Sequence, residues 1–119
     1  MKKRPLRIGV SARIQYGDST KHGYLKKNIY YIEHSYAQYI LAHGAMPFLV
    51  PDLAGHRSTS LSLADYAGEL DALMLQGGTD ISPQSYGEEP LRPEWAGDPP
   101  RDRYELELLN RFIDARKPV

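Results

Sequence analysis

Three short apolar runs, separated by stretches of a different period, set the tightest limit on how this chain can fold. Residues 6–12 (LRIGVSA), 46–50 (MPFLV) and 72–75 (ALML) each read as a buried strand. Apolar runs of this length, closed by Gly or Pro, fit strands covered on both faces. Residues 28–43 change period: Ile29, Ile32, Tyr36 and Ile40 fall at helical spacing, and Gly44 supplies a C-terminal stop. Residues 62–70 read as a short helix in which Ser62 and Asp65 have capping-box spacing. Residues 101–116 form the strongest helical pattern. Tyr104, Leu108, Leu109, Phe112 and Ile113 share one face, and Arg101 with Glu105 and Glu107 with Arg111 are spaced for i,i+4 pairs on the other. Strand and helix alternating in this way predict an α/β fold, a three-layer sandwich in which helices cover both faces of a parallel sheet. Right-handed crossovers gather the loops after the strands along one edge, where such sheets bind ligands. The loops after Ala12 and Leu75 qualify. Residues 117–119 (KPV) look like the first step into a fourth strand, so the expectation is the N-terminal half of a larger domain, incomplete in this chain.

The totals exclude more than they assign. A length of 119 residues suits one domain, 1–119, rather than two. Lys plus Arg equals Asp plus Glu, 15 of each, so no global charge favours nucleic acid or an acidic surface. The basic start, Lys2, Lys3, Arg4 and Arg7, reads as a solvated terminus. No stretch reaches the ~18 apolar residues of a membrane helix, and the expected setting is the cytoplasm. Cysteine is absent, which removes disulfides, thiolate metal sites and a thiol nucleophile from these residues. No metal or cofactor is expected, and no G-x-G-x-x-G or P-loop follows the first strand. A homodimer is left open.

Chemistry concentrates in residues 71–86, DALMLQGGTDISPQSY. A strand ending in Gly77-Gly78 can turn sharply and leaves amide N–H groups uncovered. Such amides at a sheet's carboxyl edge can hold a phosphate or an oxyanion; a tight turn also needs glycine for steric reasons alone. The following segment, 79–100, holds five prolines and reads as a long irregular loop of the sort that carries function.

The sequence resembles the γ-glutamyl-γ-aminobutyrate hydrolase family, part of the class I glutamine amidotransferase superfamily (peptidase family C26). The resemblance rests on LQGGTDISPQSYGEEP (residues 75–90), GDPPRDRYELELL (97–109) and ARKPV (115–119), with RIGVSAR and AHGAMPFLVP fitting the family's first two strands. It implies a flavodoxin-like class I glutamine amidotransferase fold and hydrolysis of a small γ-glutamyl amide by a Cys-His-acid mechanism. KPV would lead into the cysteine's strand, so nucleophile, histidine and acid lie beyond these residues, and the chain alone is expected to be inactive. His22, His34, His43 and His56 lie in the wrong half to match the catalytic histidine. Within the chain the resemblance implies an oxyanion-hole amide from Gly77-Gly78, with Gly78 the preferred donor. Asp80, Ser82, Tyr86, Arg13 and Arg101 are the candidates for substrate contact. Each has a structural alternative: Asp80 can form an Asx-turn, Ser82 precedes Pro83 in a turn, and Arg101 can brace the loop. Asp98 and Asp102, matching the family's D-x-x-R-D pattern, suit a cap and the first turn of the last helix. Trp95 suits pinning the loop to the body. A second class of function fits the same residues: a non-catalytic module that binds a carboxylate on the Gly-Gly turn.

Overall fold

The computed structural model describes residues 3–54, 56, 59–76 and 99–119, with the backbone alone for 99–101. Strands β1 (Arg7–Ser11), β2 (Arg13–Gln15) and β3 (Ile29–Tyr31) precede helix α1 (His34–Ala42). Strand β4 (Met46–Val50), helix α2 (Leu63–Glu69), strand β5 (Ala72–Met74) and helix α3 (Pro99–Asp114) follow. The main sheet is parallel, in the order β4-β1-β5, with Ser11 level with Val50 and Gly9 level with Leu73. This second-first-third order is that of flavodoxin-like sheets, whose switch point lies between the first and third strands. The three expected strands and their parallel pairing are all present.

Helices cover both faces. Val50 and Leu73 pack with Leu63, Ala67 and Leu70 of α2 and its end, and with Tyr104, Leu108 and Phe112 of α3. Burying each of the larger side chains contributes roughly 1.5–3 kcal/mol. Gly9 belongs to the same face, where a Cβ would lie 2.8 Å from Leu70 Cδ1, so a larger residue would have to displace the tip of the Leu70 side chain. On the opposite face Ile8, Ala72 and Met74 border a concavity together with Tyr39 and Ile40 of α1. Of the face expected for α3, the i,i+4 row Tyr104–Leu108–Phe112 is buried, Leu109 is half-buried and Ile113 is exposed. Glu105, expected on the solvent side, is half-buried against β1, and Arg111 turns to Asp114 at 3.8 Å.

The chain differs from expectation between residues 13 and 33. The helix expected over 28–43 begins only at His34, because Ile29–Tyr31 pairs antiparallel with Arg13–Gln15 as a small second sheet. Ile-Tyr-Tyr is a β-branched and aromatic run that gains more from cross-strand packing than from a helix. The helical spacing of Ile29 and Ile32 with Tyr36 and Ile40 is therefore accidental across the break. The loop expected after Ala12 likewise begins as strand β2.

Element ends follow local rules. α2 carries the expected capping box: Ser62 N–H donates to Asp65 at 2.8 Å while the Ser62 side chain serves the first turn. α1 stops at Gly44 (φ 76°), with Ala45 N–H reaching Ile40 O and Gly44 N–H reaching Leu41 O, a Schellman closure. α3 closes in the same way on Arg116 (φ 57°), with Lys117 N–H to Phe112 O and Arg116 N–H to Ile113 O. Lys117 Nζ then donates to the carbonyls of Ala67, Gly68 and Leu70 at 2.6, 3.0 and 2.6 Å, so all three ammonium protons cap the end of α2. Pro118 O accepts Leu73 N–H at 2.9 Å, which sets residues 117–119 along β5, where a fourth strand was expected. On the other flank Met46 N–H points to β1 by bonding Leu6 O. By strand alternation Pro47 faces the edge that is unpaired among the described residues, and its missing donor blunts that edge. No helix among the described residues is long and apolar enough to cross a membrane.

Candidate active site

Side chains, not ladder bonds, join the carboxyl ends of the three strands. The β1–β4 ladder stops at Ser11 and Val50, which would leave the Ala12 N–H buried without a strand partner. The Tyr104 hydroxyl, brought in by the second turn of α3, accepts that N–H at 3.0 Å and donates its own proton to Val50 O. Burial raises the Tyr104 pKa far above its ordinary value, so the hydroxyl stays a donor. One phenol thereby fixes the ends of β4 and β1 against α3.

Gln76 does the same across the switch point between β1 and β5. Its backbone N–H donates to Ser11 Oγ at 2.9 Å, and its Nε2 donates to Ser11 O at 2.7 Å and Tyr31 O at 3.0 Å. Its Oε1 accepts the Glu33 N–H at 2.9 Å, at the N-cap of α1. The side chain is 2% exposed and spends both amide protons and its carbonyl on backbone. Ser11 Oγ in turn donates to Glu105 at 3.3 Å. Engaged by Gln76 and Glu105, with no histidine in its hydrogen bonds, Ser11 is a scaffold hydroxyl and not the nucleophile of a triad. The edge is a rigid base from which the next two residues, Gly77 and Gly78, depart.

Arg13 stands beside this base. It opens β2, its guanidinium lies 3.5 Å from Glu33, and its CZ sits 5.7 Å above the Tyr36 ring centroid. Glu33 thus offers its carboxylate to Arg13 and its N–H to Gln76, linking a cation at the sheet edge to the strand end. Gly77, Gly78, Asp80, Ser82, Tyr86, Trp95 and Asp98 lie outside the described residues, as does the side chain of Arg101. Asp102 is buried in the first turn of α3. Sequence reasoning passed over Ser11, Glu33, Gln76, Tyr104 and Glu105. A signal existed for two of them: Ser11 and Gln76 are polar residues inside or ending apolar runs, and polar groups so placed are bonded rather than idle.

Comparison with known proteins agrees with this architecture. The chain matches the peptidase C26 family over residues 6–119. Over 58 residues, 49% of its length, it is 40% identical to the glutamine amidotransferase-like protein YvdE of Lactococcus lactis subsp. lactis (strain IL1403). It has the same identity over the same share to the YvdE homologue of Lactococcus lactis subsp. cremoris. The matched stretch spans 25% and 31% of those two proteins, so the chain accounts for only part of their length. A second-first-third parallel sheet, a locked strand end before Gly77-Gly78 and a match over nearly its whole length lead to one conclusion: the chain belongs to the peptidase C26 family.

Proposed function

We propose that this chain, as the N-terminal part of one glutamine amidotransferase-like domain, supplies the oxyanion side of a γ-glutamyl amide hydrolase of the γ-glutamyl-γ-aminobutyrate type. The observation that carries the reading is the Gln76 clamp, which holds the backbone at the switch point one residue before Gly77-Gly78. In the reaction a cysteine thiolate attacks the amide carbonyl, and the amine departs with a proton from histidine. Water then hydrolyses the thioester. These residues contain no cysteine, so the thiolate comes from outside them. Gly78, with Gly77 setting the turn, donates its N–H to the developing oxyanion. Arg13 and Arg101 meet substrate carboxylate, and Asp80, Ser82 and Tyr86 line the loop above.

A second reading, a carboxylate-binding module without chemistry, uses the same Gly77-Gly78 amides. One experiment separates the two. A γ-glutamyl anilide is offered to residues 1–119 and to the product of the full open reading frame that carries them. The hydrolase reading expects no turnover from the former and thiol-dependent turnover from the latter. It also expects Gly78→Pro, which removes the amide proton, to lower kcat about 10²–10³-fold with little change in KM. Binding of glutarate without turnover in either protein would leave only the module.

A further inference from the structure

The turn of α3 that carries Tyr104 meets the sheet edge a second time, through its neighbour Glu105. Ser11 is fully buried, so its hydroxyl proton has no bulk water to bond and needs an acceptor within the protein. Glu105 Oε1, 3.3 Å from Ser11 Oγ, is that acceptor. A serine hydroxyl has one proton and two lone pairs. With the proton turned towards α3, a lone pair faces β5 and accepts the Gln76 N–H at 2.9 Å. A carboxylate only accepts and a backbone N–H only donates, so the hydroxyl between them has a single orientation.

At 3.3 Å the bond is long for one made to a carboxylate, so it decides the direction of the hydroxyl proton more than the strength of the contact. Without the carboxylate the hydroxyl can turn, and the lone pair is no longer held on the Gln76 N–H. The Gln76 side chain would still reach Ser11 O and Tyr31 O, but the N–H bond is the one made by the main chain that leads into Gly77. We infer that Glu105 is a positioning residue for the hydrolase reaction: acting through Ser11, it sets the backbone at Gln76 from which Gly77-Gly78 departs. The inference rests on the hydrolase reading and adds to it a residue from α3, 94 positions beyond Ser11.

Two measurements test it, one of them independent of turnover. In ¹H–¹⁵N spectra of the 119-residue chain, Glu105→Leu should speed amide exchange at Gln76 about tenfold while the amides of β4 keep their protection. Glu105→Gln keeps an acceptor oxygen for Ser11 and should leave that exchange within about twofold of the parent. In the product of the full open reading frame, Glu105→Leu should lower kcat on a γ-glutamyl anilide about ten- to a hundredfold at unchanged KM, and Glu105→Gln should keep most of it. Ser11→Ala should cost a similar factor, and adding Glu105→Leu to it should cost little more, because the two residues act in one chain. A general weakening of the fold would give additive losses instead. Unchanged exchange at Gln76 in Glu105→Leu overturns the inference, as do additive losses or a Glu105→Gln protein as poor as Glu105→Leu. A parent protein that does not turn over the anilide sinks the hydrolase reading, and the exchange measurement still decides whether Glu105 sets Gln76.

Discussion

At the residue scale, Gln76 shows how one amide can decide the shape of an edge. Its side chain reads three backbone groups from three segments, two as a donor and one as an acceptor. Gln76→Glu is nearly isosteric but turns the donor into an oxygen facing the carbonyls of Ser11 and Tyr31. Burial and those carbonyls raise the carboxyl pKa in the folded state above the unfolded value of about 4.3. The sign follows from linkage: the variant's deficit is smallest below about pH 4, where both states are protonated, and grows as the pH rises towards the elevated folded value. At pH 7 the expected loss is about 2–4 kcal/mol. Urea unfolding of both proteins at pH 4 and pH 7 checks it, and a deficit independent of pH would refute the donor role. No such constraint is visible in the letters LQGG, where a glutamine before a turn looks merely polar.

At the scale of elements, the three helices end by rules that a sequence states unequally well. Gly44 announces the end of α1, and the Ser62–Asp65 spacing announces the start of α2. The end of α3 carries no such mark, because the left-handed position is filled by Arg116. A side chain there costs roughly 1–2 kcal/mol. Its charge near the helix C-terminus returns only a few tenths at an exposed position. Strain therefore wins, and Arg116→Gly should raise stability by about 0.5–1 kcal/mol, seen as a higher urea midpoint at unchanged slope. Lys117 explains why a lysine belongs next: it closes α2, an element some fifty residues earlier, which no local pattern reveals. The β2–β3 pair was missed for a similar reason. Three-residue strands carry too few side chains to show a period, and their pairing is settled across a loop.

Across the whole molecule, the sheet is held together at both ends by contacts between distant segments. The amino end is tied by Asp71, whose carboxylate accepts Arg7 N–H at 2.7 Å and meets Arg4 at 3.2 Å, while its own N–H returns to Arg7 O. The Arg7 N–H above all, with the Arg4 guanidinium assisting, holds the Asp71 pKa below the ordinary carboxylate value. A depressed pKa stabilises the fold above the unfolded value of about 3.9, and that contribution disappears as the pH falls through the folded value. Asp71→Asn keeps one acceptor oxygen and removes the titration. Stability curves of the two proteins should therefore converge below about pH 4, as measured by urea unfolding; parallel acid limbs would remove Asp71 from the account.

The amino-acid sequence alone determined the class of fold, the three parallel strands, the α2 cap, the α1 stop and the family, because each rests on local period, local turn chemistry or a run of motif residues. Tertiary structure alone decided which polar groups hold the carboxyl edge. Ser11, Glu33, Gln76, Tyr104 and Glu105 are spread over more than ninety residues and acquire their roles only when a parallel sheet stacks three strand ends beside α3. A buried N–H or carbonyl must find a partner wherever the fold leaves it. The partner is chosen by distance in space, which a one-dimensional pattern does not record.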